Sequence, residues 1–326
     1  MLIKSFFRAP LLALALWSLA SLATAAEPLR IAVSKSMLSL PMFVAEAQGY
    51  FAAERLQVSI SECSGGHRCL RQVLDGAADV ATAGDLPIMF NSFERDDFAV
   101  LATFVTSTDD VKLLVRTRAG ATRPEQLAGK RIGVVAGTSS QYFVDISLLA
   151  AGVDPKSVTM VWLQPEQITP ALRDGTVDAA AIWEPHAHDA LSKLKGDLKM
   201  LPNAGHYLGS FNLVAARRVL AGRDADLVRL LRAVERAQRL IHEEPAIAKA
   251  VMNQRMHTDA AFADAHWPKL NFRLSLDQSL ITTLEGEARW ALREGHVKGK
   301  RPASYLSLLH PGPLRAVKPA AVAFGR

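Results

Sequence analysis

Only two of the 326 residues in this chain are cysteine, both inside the stretch Cys63 to Cys69, and only 7% are aromatic. Lys and Arg outnumber Asp and Glu by 38 to 32. No basic stripe is interleaved with aromatics, however, so this mild excess does not point to nucleic acid. Low-complexity segments are absent, and no Ser-His-Asp order or paired-carboxylate pattern marks a catalytic site. Long apolar runs are confined to one. Leu11 to Leu22 follows Lys4 and Arg8 and ends at Ala23-Thr24-Ala25, the three-part pattern of a cleaved export signal. The run is shorter than the roughly 20 residues that a membrane-spanning helix needs. Residues 1–26 are therefore expected to be removed, which takes away Lys4 and Arg8 and lowers the formal charge from +6 to +4. No cysteine follows the run to carry a lipid, and no second long apolar run follows it, so a soluble, periplasmic mature chain is expected. Its roughly 300 residues exceed what one hydrophobic core usually supports, so two lobes are expected.

What is present is one passage written twice. The first copy reads "LRIAVSKSMLSLP" (Leu29 to Pro41) and then "LRQVLDGAADVATAGDLP" (Leu70 to Pro87). The second reads "KRIGVVAGTSSQYF" (Lys130 to Phe143) and then "ITPALRDGTVDAAAIWEP" (Ile168 to Pro185). Arg30 stands to Asp79 nearly as Arg131 stands to Asp178. In each copy a short apolar run, Ile31 to Val33 or Ile132 to Val135, predicts a buried strand followed by a small polar loop and a helix. A second helix is expected to close at Asp75-Gly76 or Asp174-Gly175, where glycine can turn left-handed. The next strand, Val80 to Ala83 or Ala179 to Ile182, runs into an acid and a proline. Alternating strands and helices predict parallel sheets whose ligands sit beyond the strand C-termini. Two such units facing each other make a cleft.

Between the copies, Asp109 to Gly120 predicts the first crossing between lobes, and Gly205 to Leu220 the return. Beyond them the chain is mainly helical. Apolar spacing predicts helices over Asp224 to Glu243 and Leu276 to Glu294, packed on the first lobe. Arg229, Arg232, Arg236 and Arg239 share a face of the first, read as solvated, with docking to an acidic partner as the alternative.

The stretches "LPMFVAEAQGYFAAERLQV", "DVATAGDLP", "LAGKRIGVVAGTSSQYF" and "DGTVDAAAIWEP" resemble the periplasmic substrate-binding proteins of the nitrate, sulfonate and taurine ABC importers, a group related to thiamine-pyrimidine precursor binders. The similarity runs from about Leu29 to Leu220. It implies an α/β, type II periplasmic-binding-protein fold, each lobe a mostly parallel sheet flanked by helices. Lobe I would comprise residues 27–110 plus 207–326 and lobe II residues 111–206, with a hinge near Asp109 to Lys112 and Tyr207 to Asn212. It further implies a small anionic or zwitterionic ligand, an ABC permease in the inner membrane as partner, a monomeric state, and no cofactor, metal or enzymatic turnover. Two other roles fit the same fold: a sensor subunit, and a synthase-like enzyme. The two cysteines cannot supply the cysteine-rich motif of the synthase branch.

Ligands in such a cleft are held by helix N-termini, whose free N–H groups favour negative charge. Four loops are expected to end in one. They place Ser36 and Leu38, then Ser64, Gly65 and Gly66, then Asp85, then Thr138, Ser139 and Ser140 as candidate contacts, with helix capping the alternative for each serine. Asp85 and Glu184 occupy matching places in the two copies. Each either caps its helix or takes a ligand ammonium or amide. Trp183 offers an aromatic wall or plain core, and Asn212 has the chemistry of a clamp. Cys63 and Cys69 are expected to form a disulfide that fixes the Ser-Gly-Gly turn. A metal site with His67 is the sharper alternative, lacking a visible fourth ligand. A redox couple is disfavoured because the spacing is not Cys-x-x-Cys. His186 and His188 are read as surface residues.

Overall fold

A computed structural model describes residues 27–203, 207–299 and 304–324. The expected export signal lies outside the described residues, as do Gly205 and His206 at the start of the expected return crossing. Each copy of the repeated passage folds as three parallel strands with helices between them. In the first, β1 (Leu29–Ser34) lies between β2 (Val58–Cys63) and β3 (Val80–Gly84). The chain then passes through β4 (Phe98–Ser107) into β5 (Val111–Arg116) and the second copy, where β6 (Arg131–Val134) lies between β7 (Thr159–Trp162) and β8 (Ala179–Trp183). It returns through β9 (Leu198–Met200) and β10 (Gly209–Ala216), and β11 (Leu270–Asp277) and β12 (Val322–Ala323) come last. One sheet has the order β12-β11-β4-β10-β3-β1-β2, the other β7-β6-β8-β5-β9.

Within each copy the pairing is parallel, as expected. The crossing strands are what differ: β10 runs antiparallel to β3 and β4, and β5 antiparallel to β8 and β9, so both sheets are mixed rather than mostly parallel. Each crossing strand pairs with the last strand of a copy, β10 with β3 and β5 with β8, and runs against it.

The repeated Arg and Asp turn out to be one device used twice. Arg30 Nη2 lies 2.7 Å from Asp79 Oδ1, and the Arg30 amide donates to Asp79 Oδ2 at 3.1 Å. Arg131 Nη2 lies 2.9 Å from Asp178 Oδ1, and the Arg131 amide donates to Asp178 Oδ2 at 3.0 Å. Each arginine also reaches the carbonyl of the helix-closing glycine, Gly76 or Gly175, both in the left-handed region. The start of the first strand is thus tied to the turn that launches the third. In both copies the strand C-termini then point the same way, toward the other sheet.

The helix Asp224–Glu243 buries Leu227, Leu230, Leu231, Val234 and Ile241 and packs on the helix Leu40–Ala47, beside the seven-stranded sheet. Its arginine face is only partly solvated: Arg229 pairs with Asp226 and Arg236 lies 4.4 Å over the Tyr50 ring. The last long helix begins at Gln278 rather than Leu276, because Asp277 caps it by accepting from the Ser279 amide at 3.0 Å, which leaves Leu276 in β11. This helix packs on Asp85–Asn91 and also reaches the five-stranded side, where Trp290 Nε1 donates to Asp145 Oδ2 at 2.9 Å.

Candidate functional site

The strand ends line a half-open cavity between the two sheets. Its volume is about 50 Å³, room for roughly three to five water-sized groups. Ser34 and the loop after β1 form one wall. There Ser36 caps a short turn by accepting from the Leu38 amide at 3.2 Å, and both residues line the cavity. The helix Gly66–Leu74 forms the next wall. Its N-cap Gly65 has φ +95°, and a side chain there would press its Cβ to 2.9 Å from Trp183 Cζ2, so only glycine fits. Gly66 itself lines the cavity, with Ala83 Cα 3.0 Å from where its Cβ would lie. Cys63 and Cys69 are joined as a disulfide with Cα atoms 5.7 Å apart. It ties the end of β2 to the first turn of that helix and removes the thiolates that a metal site would need. Among the described residues no three His, Cys, Asp or Glu side chains stand together to hold a metal ion.

The five-stranded side contributes the N-terminus of helix Ser139–Ala150. Thr138 caps it, accepting from the Ser140 amide at 3.2 Å and donating to the Val135 carbonyl at 2.8 Å, and Thr138 and Ser139 both line the cavity. Ser140 does not: its hydroxyl donates to the Ala181 carbonyl at 2.6 Å and accepts from the Val135 amide, binding helix to strand. Trp183 lines the cavity and stands edge-on to His67, with ring centroids 5.9 Å apart.

Other expected contacts lie off the wall. Ser64 sits 3.5 Å from His186 Nε2 in a neighbouring groove, and Gly65 backs onto Trp183. Asn212 is 0% exposed and accepts from Thr103 Oγ1 at 2.6 Å, which makes it a strand-to-strand brace. Glu184 accepts from the His188 amide at 2.9 Å, as a helix cap does, and faces His266 Nε2 at 3.6 Å. Asp85 reaches the cavity but is already saturated. Its Oδ1 accepts from Tyr207 Oη at 2.6 Å and the Leu86 amide at 2.9 Å, and its Oδ2 from the Ser210 amide at 2.7 Å and hydroxyl at 3.1 Å. Burial pushes this carboxyl up, and those four donors oppose the shift.

His186 and His188 are half-buried rather than on the surface, because their helix starts at the mouth of the cleft. His186 meets Trp183 edge-on and His188 packs on Phe262 at 4.9 Å.

Several wall residues carry no sequence motif. Tyr207, Gly209, Ser210 and Phe211 arrive on the return strand, and His67 follows the glycines. His67 Nδ1 is buried without a partner among the described residues, and burial, reinforced by the Arg68 charge, lowers its pKa to about 4, so the ring is neutral at pH 7. Asp110 is expected only at the hinge, yet it lines the cavity. The one available signal was the doubled acid of "TDD", two residues before Lys112. Among the described residues no lysine or arginine lines the wall. An anion there would be met by N–H dipoles and hydroxyls instead of a countercharge. Across the mouth, Arg68 pairs with Glu166 at 2.5 Å and donates to Gln164 at 2.9 Å, linking the two sides.

Known proteins of similar sequence are solute binders. The chain is 27% identical over 245 residues to a putative aliphatic sulfonates-binding protein of Bacillus subtilis, covering 72% of this chain and 68% of that one. It is 27% identical over 188 residues to the taurine-binding periplasmic protein of Escherichia coli, covering 57% of each. In structure it resembles the alkanesulfonate-binding protein of Xanthomonas axonopodis pv. citri bound to MOPS, with a TM-score of 0.73 at 22% identity over 87% of this chain and 99% of that one. At that identity the likeness is one of fold, the α/β fold of periplasmic binding proteins. Residues 37–248 match the NMT1/THI5-like family, and the chain belongs to it.

Proposed function

We propose that the protein is the exported, periplasmic solute-binding component of an ABC importer. It captures a small sulfonate- or taurine-like solute between two lobes, residues 27–110 plus 207–326 and residues 111–206, and presents the closed form to a permease in the inner membrane. The observation that carries this reading is the cavity between the sheets, where the N-termini of Gly66–Leu74 and Ser139–Ala150 converge with the Ser36 and Ser139 loops and, among the described residues, no fixed cation. Binding rather than turnover is proposed because the relatives named above are binding proteins. Closure follows from differential affinity: a solute touching both walls favours the state that brings them together. The crossings near Asp109 to Lys112 and Tyr207 to Asn212 would take up the rotation.

The test is a thermal-shift series on mature, ligand-stripped protein with taurine, ethanesulfonate, isethionate and nitrate. A ligand at a hundred times its dissociation constant adds about 2.7 kcal/mol, which raises the midpoint by several degrees in a chain of this size. No shift with any of the four overturns the reading.

A further inference from the structure

We propose that Asp110 selects the solute: its unpartnered carboxyl oxygen receives an ammonium at the end of the ligand opposite the anionic head, so the cavity is built for a short zwitterion and discriminates against a plain alkyl anion. This rests on the cavity being the solute site.

Two acids line the cavity among the described residues, Asp85 and Asp110, and of these Asp110 has the unpartnered oxygen; Glu287, whose carboxyl oxygens are also buried without a partner, does not line it. Asp85 has four donors and Glu184 accepts from the His188 amide. Asp110 Oδ1 is buried with no partner among the described residues. A buried acceptor without a donor is costly, and a site whose polar group is completed only by its ligand rejects analogues that lack the matching group. The surroundings decide which donor suits it. Glu184, Asp109 and Asp85 add negative potential around Asp110, and Lys112 is the opposing charge. That lysine is engaged by Asp109, through its carboxylate at 2.5 Å and its carbonyl at 2.7 Å. His266 faces Asp109 and Glu184, each at 3.6 Å, and on the cavity wall His67 is neutral and Tyr207 is tied to Asp85. The surroundings of Asp110 therefore favour a cation, while the N-terminus capped by Thr138 favours an anion.

Burial, with Glu184 second, lifts the Asp110 carboxyl to about 8. It is thus mostly protonated at pH 7, and an arriving ammonium would ionise it and release up to roughly one proton per ligand. A hydroxyl or methyl in the same place would release none.

The experiment is calorimetric titration at pH 7 in buffers of different ionisation enthalpy, using taurine, isethionate and ethanesulfonate. Taurine is expected to bind roughly 10- to 100-fold tighter than ethanesulfonate, the range of a charge-assisted hydrogen bond, with proton release for taurine alone. In Asp110→Asn the preference for taurine over ethanesulfonate should shrink to about threefold or less. Equal affinities in the parent protein, or tight taurine binding without proton release, overturn the proposal and leave the sulfonate-binding reading intact. Failure of all three ligands overturns both. The proton count is read on the parent protein, so the proposal can be refuted even where the variant does not fold.

Discussion

Replacing Asp110 by asparagine should make the ligand-free protein more stable above neutral pH. The carboxyl has its pKa at about 8 in the folded protein and about 3.9 unfolded. Between those values the folded state holds a proton that the unfolded state has released, so stability falls as pH rises through that window and levels off above the folded pKa. About four units correspond to roughly 5.5 kcal/mol as an upper bound. Asp110 is accessible from the cavity side, and water there relieves part of the penalty, so about 2–4 kcal/mol is the working figure. His67 acts in the opposite sense at lower pH. With its pKa at about 4, it costs stability as pH falls from about 6.5. The comparison should therefore be made between pH 6.5 and 9, parent against variant, by urea denaturation after ligand stripping. The parent should lose stability across that range and Asp110→Asn should lose clearly less. Parallel curves, or a variant less stable than the parent at pH 9, would refute the assignment of a raised carboxyl to this position.

Replacing both Cys63 and Cys69 by serine reopens a loop whose closure contributes about 2 kcal/mol on the chain-entropy model; the unfolding midpoint should drop and solute affinity weaken, because Gly66 on the cavity wall is held by that loop. Gly65→Ala forces a side chain at φ +95° against Trp183 and should cost about 1–3 kcal/mol; an unchanged midpoint would show that the turn relaxes freely. Arg68→Ala removes a clasp across the cleft mouth between half-exposed groups. Its effect should be a few-fold loss of affinity that fades in high salt, with global stability unaltered, and a salt-independent loss would mean that the clasp does something else.

Much of the fold was legible because the chain states it twice. The spacing of Arg30 to Asp79 and Arg131 to Asp178 marks the same tie between a first strand and the turn before a third, and the glycines at 76 and 175 sit where a helix must stop. The mixed character of the sheets was not legible. Apolar runs such as Leu213 to Ala216 give burial but not direction, and direction was fixed by where the crossing strand re-enters. Of the expected contacts, Ser36, Leu38, Gly66, Thr138 and Ser139 line the cavity, because loops before helices lie at the strand ends. Trp183 and Asp85 also line it, but Ser64, Gly65, Ser140, Glu184 and Asn212 do not.

The two acids singled out by their matching positions illustrate the limit. Residue type shows that a carboxylate is present, and symmetry suggests that it matters, but neither shows whether its lone pairs are already taken. Asp85 and Glu184 are taken by the return strand and by a helix start, which explains an acid before proline in each copy without a ligand. Asp110 has no counterpart in the repeat and no motif around it, since it belongs to the crossing that joins the copies. A duplicated fold builds two equivalent walls, and the polarity that tells one end of a ligand from the other has to come from residues outside the duplication. In this chain those are the crossings, which bring Asp110, Tyr207 and Ser210 to the cavity. If the zwitterion proposal holds, exchanging these crossing segments between relatives should transfer ligand preference, whereas exchanging the repeated loops should change affinity for all anions alike.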